Sequence, residues 1–124
     1  MRKPTLLLIA TVVAAASVCT RAQDNTRDLA RLVDALALQP GMSVAEIGAG
    51  SGALTVLVAG HVGPNGRVYS TEVGDDQRDG IRRAAAAASL ANVTVLAAGD
   101  ESTNLPAGCC DAIFMRNVYH HFEN

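Results

Sequence analysis

The chain has no tryptophan and only two tyrosines and two phenylalanines, so aromatics make up 3% of its 124 residues. Side chains on which successive bases would stack are therefore scarce. It also lacks a basic excess. Ten Lys and Arg stand against twelve Asp and Glu, a formal charge of −2, and no basic face is available for a phosphate backbone. Three cysteines, one of them near the N-terminus, are too few for a disulfide framework. No apolar run reaches the roughly 18 residues of a membrane-spanning helix. These absences exclude a disulfide scaffold, a coiled coil, a polytopic membrane protein and a DNA-binding module. What remains is 49% hydrophobic and 18% charged, enough apolar material for the core of one small domain.

The N-terminus reads as an export signal. Arg2 and Lys3 form a positive start, residues 5–18 form an apolar stretch, and Thr20-Arg21-Ala22 supplies small residues for a cut before Gln23. Residues 1–22 are thus expected to be a signal peptide or an N-terminal anchor, and residues 23–124 the domain. Cleavage implies a periplasmic or secreted protein, and retention an inner-membrane anchor, the chain's only expected contact with a membrane. Without residues 1–22 the body is more acidic, which disfavours anionic polymers such as nucleic acid as partners. At the other end, Asn117 to Phe122 reads as the start of a helix that meets no stop signal before Asn124, the pattern of a truncated domain.

Between these ends, helical and extended patterns alternate. Asp24-Asn25-Thr26 is suited to capping a helix in which Leu29, Leu32, Val33 and Leu36 recur at helical spacing, with Pro40-Gly41 ending it. Strands are expected over residues 43–47, 67–72, 92–97 and 111–115, and helices over 53–62 and 77–90. Short β-rich runs separated by helices predict an α/β fold, a Rossmann-like parallel sheet with helices on both faces and about four strands. In such sheets ligands bind at the rim formed by the carboxyl ends of the strands. Glu46, the glycines, Glu72, Gly99 to Glu101 and Arg116 should meet there.

The turn Gly48-Ala49-Gly50-Ser51-Gly52 joins the first strand to the next helix. Gly48, Gly50 and Gly52 permit a sharp bend and close approach of backbone to a ligand, and the helix start offers unpaired N–H groups. Glu72 lies twenty residues past Gly52, at the end of the second strand, where a carboxylate accepts both hydroxyls of a ribose. Dinucleotide enzymes use the same device, and Gly48-x-Gly50-x-x-Ala53 fits their looser fingerprint. Glu46 separates the options. A carboxylate among Val44, Ala45 and Ile47 costs several kcal/mol unless compensated. Beside a pyrophosphate it would meet a like charge. Beside S-adenosylmethionine it would meet an ammonium and a sulfonium, and attraction wins. The alternative role for Glu46 is capping backbone N–H groups of the turn.

These residues resemble the class I S-adenosylmethionine-dependent methyltransferases. The likeness runs through Val44 to Gly52, then Gly66 to Glu72, and covers most of residues 38–122. It implies that the first block is the cofactor loop, that Glu72 holds the ribose, and that Asp100 or Glu101, in Gly99 to Pro106, meets the adenine. The stretch up to Glu72 also resembles the protein-isoaspartyl methyltransferases, while Tyr119-His120-His121-Phe122 is more similar to small-molecule methyltransferases. The expected cofactor is S-adenosylmethionine, and the expected partner an unidentified small-molecule or protein methyl acceptor. No Asn/Asp-Pro-Pro-aromatic block is present, which disfavours methylation of nucleic-acid bases. An exported chain sits in tension with a cofactor made in the cytosol.

Two other readings stand beside this one, an NAD-type dinucleotide-dependent oxidoreductase and a non-catalytic nucleoside-binding or remnant domain. No catalytic base is assigned and no metal site is expected. His120-His121, with His61 further off, are adjacent histidines without a surrounding ligand pattern. Cys109-Cys110 reads as two thiols at a turn, with a strained vicinal disulfide as the alternative, and Arg78, Arg82 and Arg83 as a solvated helix face.

Overall fold

The computed structural model describes residues 21–116. Each short β-branched or apolar run forms a strand: β1 (Ser43–Ile47), β2 (Arg67–Glu72), β3 (Val93–Ala97) and β4 (Ala112–Met115). Three helices accompany them, α1 over residues 21–36, α2 (Ala53–Val62) and α3 (Asp75–Ala87). All three strand pairings are parallel, and the order across the sheet is β3-β2-β1-β4. The chain steps outward from β1 to β3, then returns to pair β4 with the free side of β1. The crevice at the carboxyl ends of β1 and β4 is therefore the topological switch point.

Strand periodicity sorts the side chains. Val44 pairs in register with Val68 and Ala112, and Val68 with Val93, so these four share one face. That face carries the core, in which Val44, Val68 and Phe114 meet Leu54, Val58, Ala59 and Val62 of α2. Leu29, Leu32, Val33 and Leu36 of α1 pack on the same cluster, and Ile81 of α3 is fully buried. The expected parallel α/β sheet is present. The covering expected on both faces is seen on one among the described residues. Ile113 and Met115, on the other face, are 51% and 40% exposed.

Asp24-Asn25-Thr26 does not cap α1 but lies inside it, and Thr26 returns its hydroxyl to the Ala22 carbonyl. Threonine makes this i−4 bond readily, so its presence does not fix a helix start. The expected cut before Gln23 also falls within α1. At the other end the helix stops before Pro40-Gly41. Ala37 takes a left-handed φ of 50°, and the Leu38 N–H donates to the Val33 carbonyl at 3.1 Å, a Schellman closure. The same device ends α3, with Ser89 at φ 55° and the Leu90 N–H on the Ala85 carbonyl. Residues 1–20 and 117–124 are outside the described region, so the export segment, His120, His121 and the final helix start have no structural account.

Candidate functional site

The glycine turn leaves β1 through three left-handed residues, Gly48, Gly50 and Gly52, with φ of 70°, 58° and 81°. Any Cβ at these positions is strained. Gly52 is constrained twice, since a Cβ there would stand 3.1 Å from the Ile81 Cα of α3. At Gly50 nothing lies within 4 Å of that point, so the backbone is open to a neighbour. The turn is tied to the end of β2. The Gly48 and Ala49 N–H groups both donate to the Thr71 carbonyl, at 3.0 and 3.1 Å.

Glu72 completes that tie. Its Oε2 accepts from the Gly50 N–H at 2.9 Å and its Oε1 from the Val73 N–H at 3.0 Å. Each carboxylate oxygen keeps lone-pair capacity for a further donor. Arg78 in α3 fixes the residue from behind, donating to the Glu72 and Val73 carbonyls and pairing with Asp75. Its side chain is only 14% exposed, so Arg78 is not part of a solvated face. Arg82 does sit at the surface, paired with Asp79.

Glu46 is 2% exposed, turned to the core face with Val44. Thr55 of α2 donates its hydroxyl to Glu46 Oε2 at 2.5 Å, and Ser70 lies 2.9 Å from the same Thr55 oxygen. A threonine has one hydroxyl proton, so Ser70 donates to Thr55 when Thr55 donates to Glu46. Burial pushes the Glu46 carboxyl up to about 7. The Thr55 bond and the Arg116 charge pull the other way, and the Glu72 charge adds to the rise. Glu46 does not cap the turn's N–H groups, since those go to Thr71, Glu72 and Ala49.

Arg116 follows β4 and crosses to α1, where its Nη1 donates to Asn25 Oδ1 at 2.7 Å and to Asp28 Oδ2 at 2.8 Å. A cleft of about 460 Å³ opens here between Ser51 of the glycine turn, Ala53 at the start of α2, Asn25 and Asp28 of α1, and Arg116. Its wall carries both signs of charge. None of the seven acids and glycines singled out from sequence lines it. Glu46 is buried against Thr55 of α2, and Gly48 and Gly50 are tied to Thr71 and Glu72 at the end of β2. Asp100 and Glu101 are exposed in the loop after β3, joined to this rim where the Ala98 N–H donates to the Glu72 carbonyl.

Other candidates fall away from the rim. His61 of α2 bonds through Nε2 to the carbonyl of Leu38, just past the end of α1. Cys109 and Cys110 are joined as a disulfide rather than standing as two thiols. Among the described residues no group of three His, Cys, Asp or Glu is placed to hold a metal ion. Sequence reasoning missed Thr55, Ser70, Asn25 and Asp28. No motif marks them, because each acts through a partner remote in sequence.

A model of a methyltransferase domain matches residues 44–124, well over half of the chain. The chain belongs to the methyltransferase-domain family. Solved methyltransferases carry the same fold. A SAM-dependent methyltransferase from Aquifex aeolicus is 27% identical at a TM-score of 0.71, over 78% of this chain and 52% of its own. Coclaurine N-methyltransferase, solved with N-methylheliamine and S-adenosylhomocysteine, is 30% identical at 0.65, over 73% of this chain and 26% of its own. A protein-L-isoaspartate O-methyltransferase is 27% identical at 0.62, over 70% and 27%. The methyltransferase domain described here therefore spans about half of the first and about a quarter of the others. The Rossmann-like methyltransferase core and the likeness to the isoaspartyl enzymes, both expected from the sequence, are borne out.

Proposed function

We propose that this chain supplies the S-adenosylmethionine-binding part of a methyltransferase whose acceptor is a small molecule or a protein. The observation that carries this reading is the buried Glu46 carboxyl two residues before an open, left-handed glycine turn. A buried carboxylate is costly without a counter-charge, and a cationic ligand above the turn provides one. The residues fit the cofactor on three counts. Gly50 leaves open space at the turn, Glu72 is held with lone pairs to spare, and the cleft wall has both signs of charge, as an aminocarboxylate end requires.

When bound, S-adenosylmethionine supplies an electrophilic methyl carbon on a cationic sulfur. The chain's own task is binding and orientation. Glu46 in its charged form attracts the ammonium and sulfonium. Arg116, latched to α1, offers a guanidinium to the carboxylate end. Glu72, held by Gly50 and Arg78, receives the ribose hydroxyls, and Asp100 or Glu101 the adenine amino group. No side chain among the described residues is assigned as a base.

Calorimetry tests the reading. Binding of S-adenosylhomocysteine that is lost in Glu72→Ala supports it, and binding of NAD without S-adenosylhomocysteine overturns it. The three solved relatives named above are all methyltransferases, which favours this reading over an NAD-dependent oxidoreductase. Export through residues 1–22 is part of the proposal, and a mature N-terminus at Gln23 is its expected mark.

A further inference from the structure

The Cys109–Cys110 disulfide has no part in the cofactor rim. It stands before β4, at the end of that strand opposite Arg116. A disulfide stabilises a fold chiefly by closing a loop of the unfolded chain, and the benefit grows with the length of that loop. Two adjacent residues enclose no chain between them, so this bond staples nothing to anything else. The anchoring is done by the next residue. The Asp111 N–H donates to the Ser43 carbonyl at 2.7 Å, and the Ser43 N–H donates to Asp111 Oδ2 at 2.9 Å. These two bonds set β4 against β1 whether or not the sulfurs are joined.

The surroundings suit chemistry more than packing. Both cysteines are partly exposed, neither belongs to the buried core, and residues 106–108 before them are exposed. A tight turn presents the pair, with Gly108 at φ 64° and the Cys109 N–H donating to the Pro106 carbonyl.

We propose that Cys109–Cys110 is a reversible thiol–disulfide site whose co-reactants are low-molecular-weight thiols and dithiols. A thiolate attacks one Sγ and forms a mixed disulfide, with the other cysteine leaving as a thiolate that takes up a proton. A second thiol then displaces the first. The protein disulfide gains two electrons and two protons and becomes two thiols, while two thiols outside become one disulfide. Reduction frees the turn over residues 106–110 and leaves the Asp111–Ser43 anchor in place.

The test uses the full chain carrying Cys19→Ser. Native protein is incubated with or without dithiothreitol, then alkylated and read by peptide mass spectrometry and thermal melting. The expected result is no label at positions 109 and 110 before reduction and two labels after. Re-oxidation by oxidised glutathione restores the unlabelled state, and the melting temperature stays within about 2 °C throughout. Hydrogen exchange rises over residues 106–110 only. Two free thiols in air-oxidised protein overturn the proposal, as does a bond that resists reduction without denaturant. A collapse of the melting temperature on reduction, shared by Cys109→Ser/Cys110→Ser, makes the bond a structural staple and also overturns it.

Discussion

Thr55 and Glu46 are joined inside the core by an O–H···O hydrogen bond of 2.5 Å, with Ser70 seated behind the threonine oxygen. The bond links the first turn of α2 to the strand before the glycine turn, so the turn is spanned by its own flanking elements. Thr55→Val keeps the shape and removes the donor. A buried carboxyl without its partner costs about 1–3 kcal/mol. The variant is expected to lose that much in denaturant unfolding at pH 8, where Glu46 is charged. The double change with Glu46→Gln should recover most of the loss, and simple additivity in that cycle would mean the two residues are not coupled.

The raised Glu46 carboxyl makes stability depend on pH in a defined direction. Its ordinary value of 4.5 moves to about 7 in the folded chain, so between these values the folded state holds the proton and the unfolded state does not. This contribution is fully present below pH 4.5 and is lost as pH rises through 7. The loss amounts to about 3 kcal/mol, since each pKa unit is worth about 1.4 kcal/mol. Denaturant curves from pH 5 to 8 measure it against Glu46→Gln, in which this slope should be absent.

Gly50 and Gly52 separate ligand access from packing. Gly52→Ala adds a left-handed strain to a contact with Ile81 backbone and should cost about 2–4 kcal/mol. Gly50→Ala bears only the backbone strain of about 1–2 kcal/mol and puts a methyl into open space. The Gly50 variant should melt closer to the parent yet bind S-adenosylhomocysteine at least tenfold more weakly. Thermal melting and calorimetry on the two variants check both halves.

Arg116→Ala removes the link from β4 to α1. Both partners are partly exposed, so the stability cost should be about 1 kcal/mol or less. Two local effects are expected. Hydrogen exchange should quicken over residues 21–30, and the Glu46 carboxyl should titrate still higher, because a neighbouring cation that favours its charged form is gone.

Helix endings offer a stability gain. Ala37 is a non-glycine residue at the left-handed position of a Schellman closure. Ala37→Gly relieves the clash of its Cβ and should stabilise the domain by about 1 kcal/mol. A rise of a few degrees in melting temperature is the expected reading.

What the residues disclosed on their own follows from how local the signals are. β1 and α2 are bounded by Pro40-Gly41, the glycine turn and Gly63-Pro64, so their limits were readable to the residue. Glu46 stood out because a lone acid breaks an apolar strand. Thr55, Ser70 and Asn25 did not, because ordinary polar residues on helices and strands gain meaning only from partners brought close by folding. Arg78 was misread for the same reason, since its acceptors are backbone carbonyls that leave no mark in a sequence. The start of α1 was misjudged because threonine bonds equally well at a cap and within a helix. The adjacent cysteines were read as thiols because ring closure between neighbours is unusual, and nothing local announces it.

Whether Glu46 meets a cationic adenosyl ligand is tested most directly by one calorimetric series. S-adenosylmethionine is titrated into the parent chain and Glu46→Gln at pH 6 and pH 8, each in two buffers of different ionisation enthalpy. The parent should bind more tightly at pH 8 and release protons at pH 6, while Glu46→Gln binds at least tenfold more weakly than the parent at pH 8 and shows no pH dependence. Equal affinity in the two proteins at pH 8, or binding by the parent without proton release at pH 6, would contradict it.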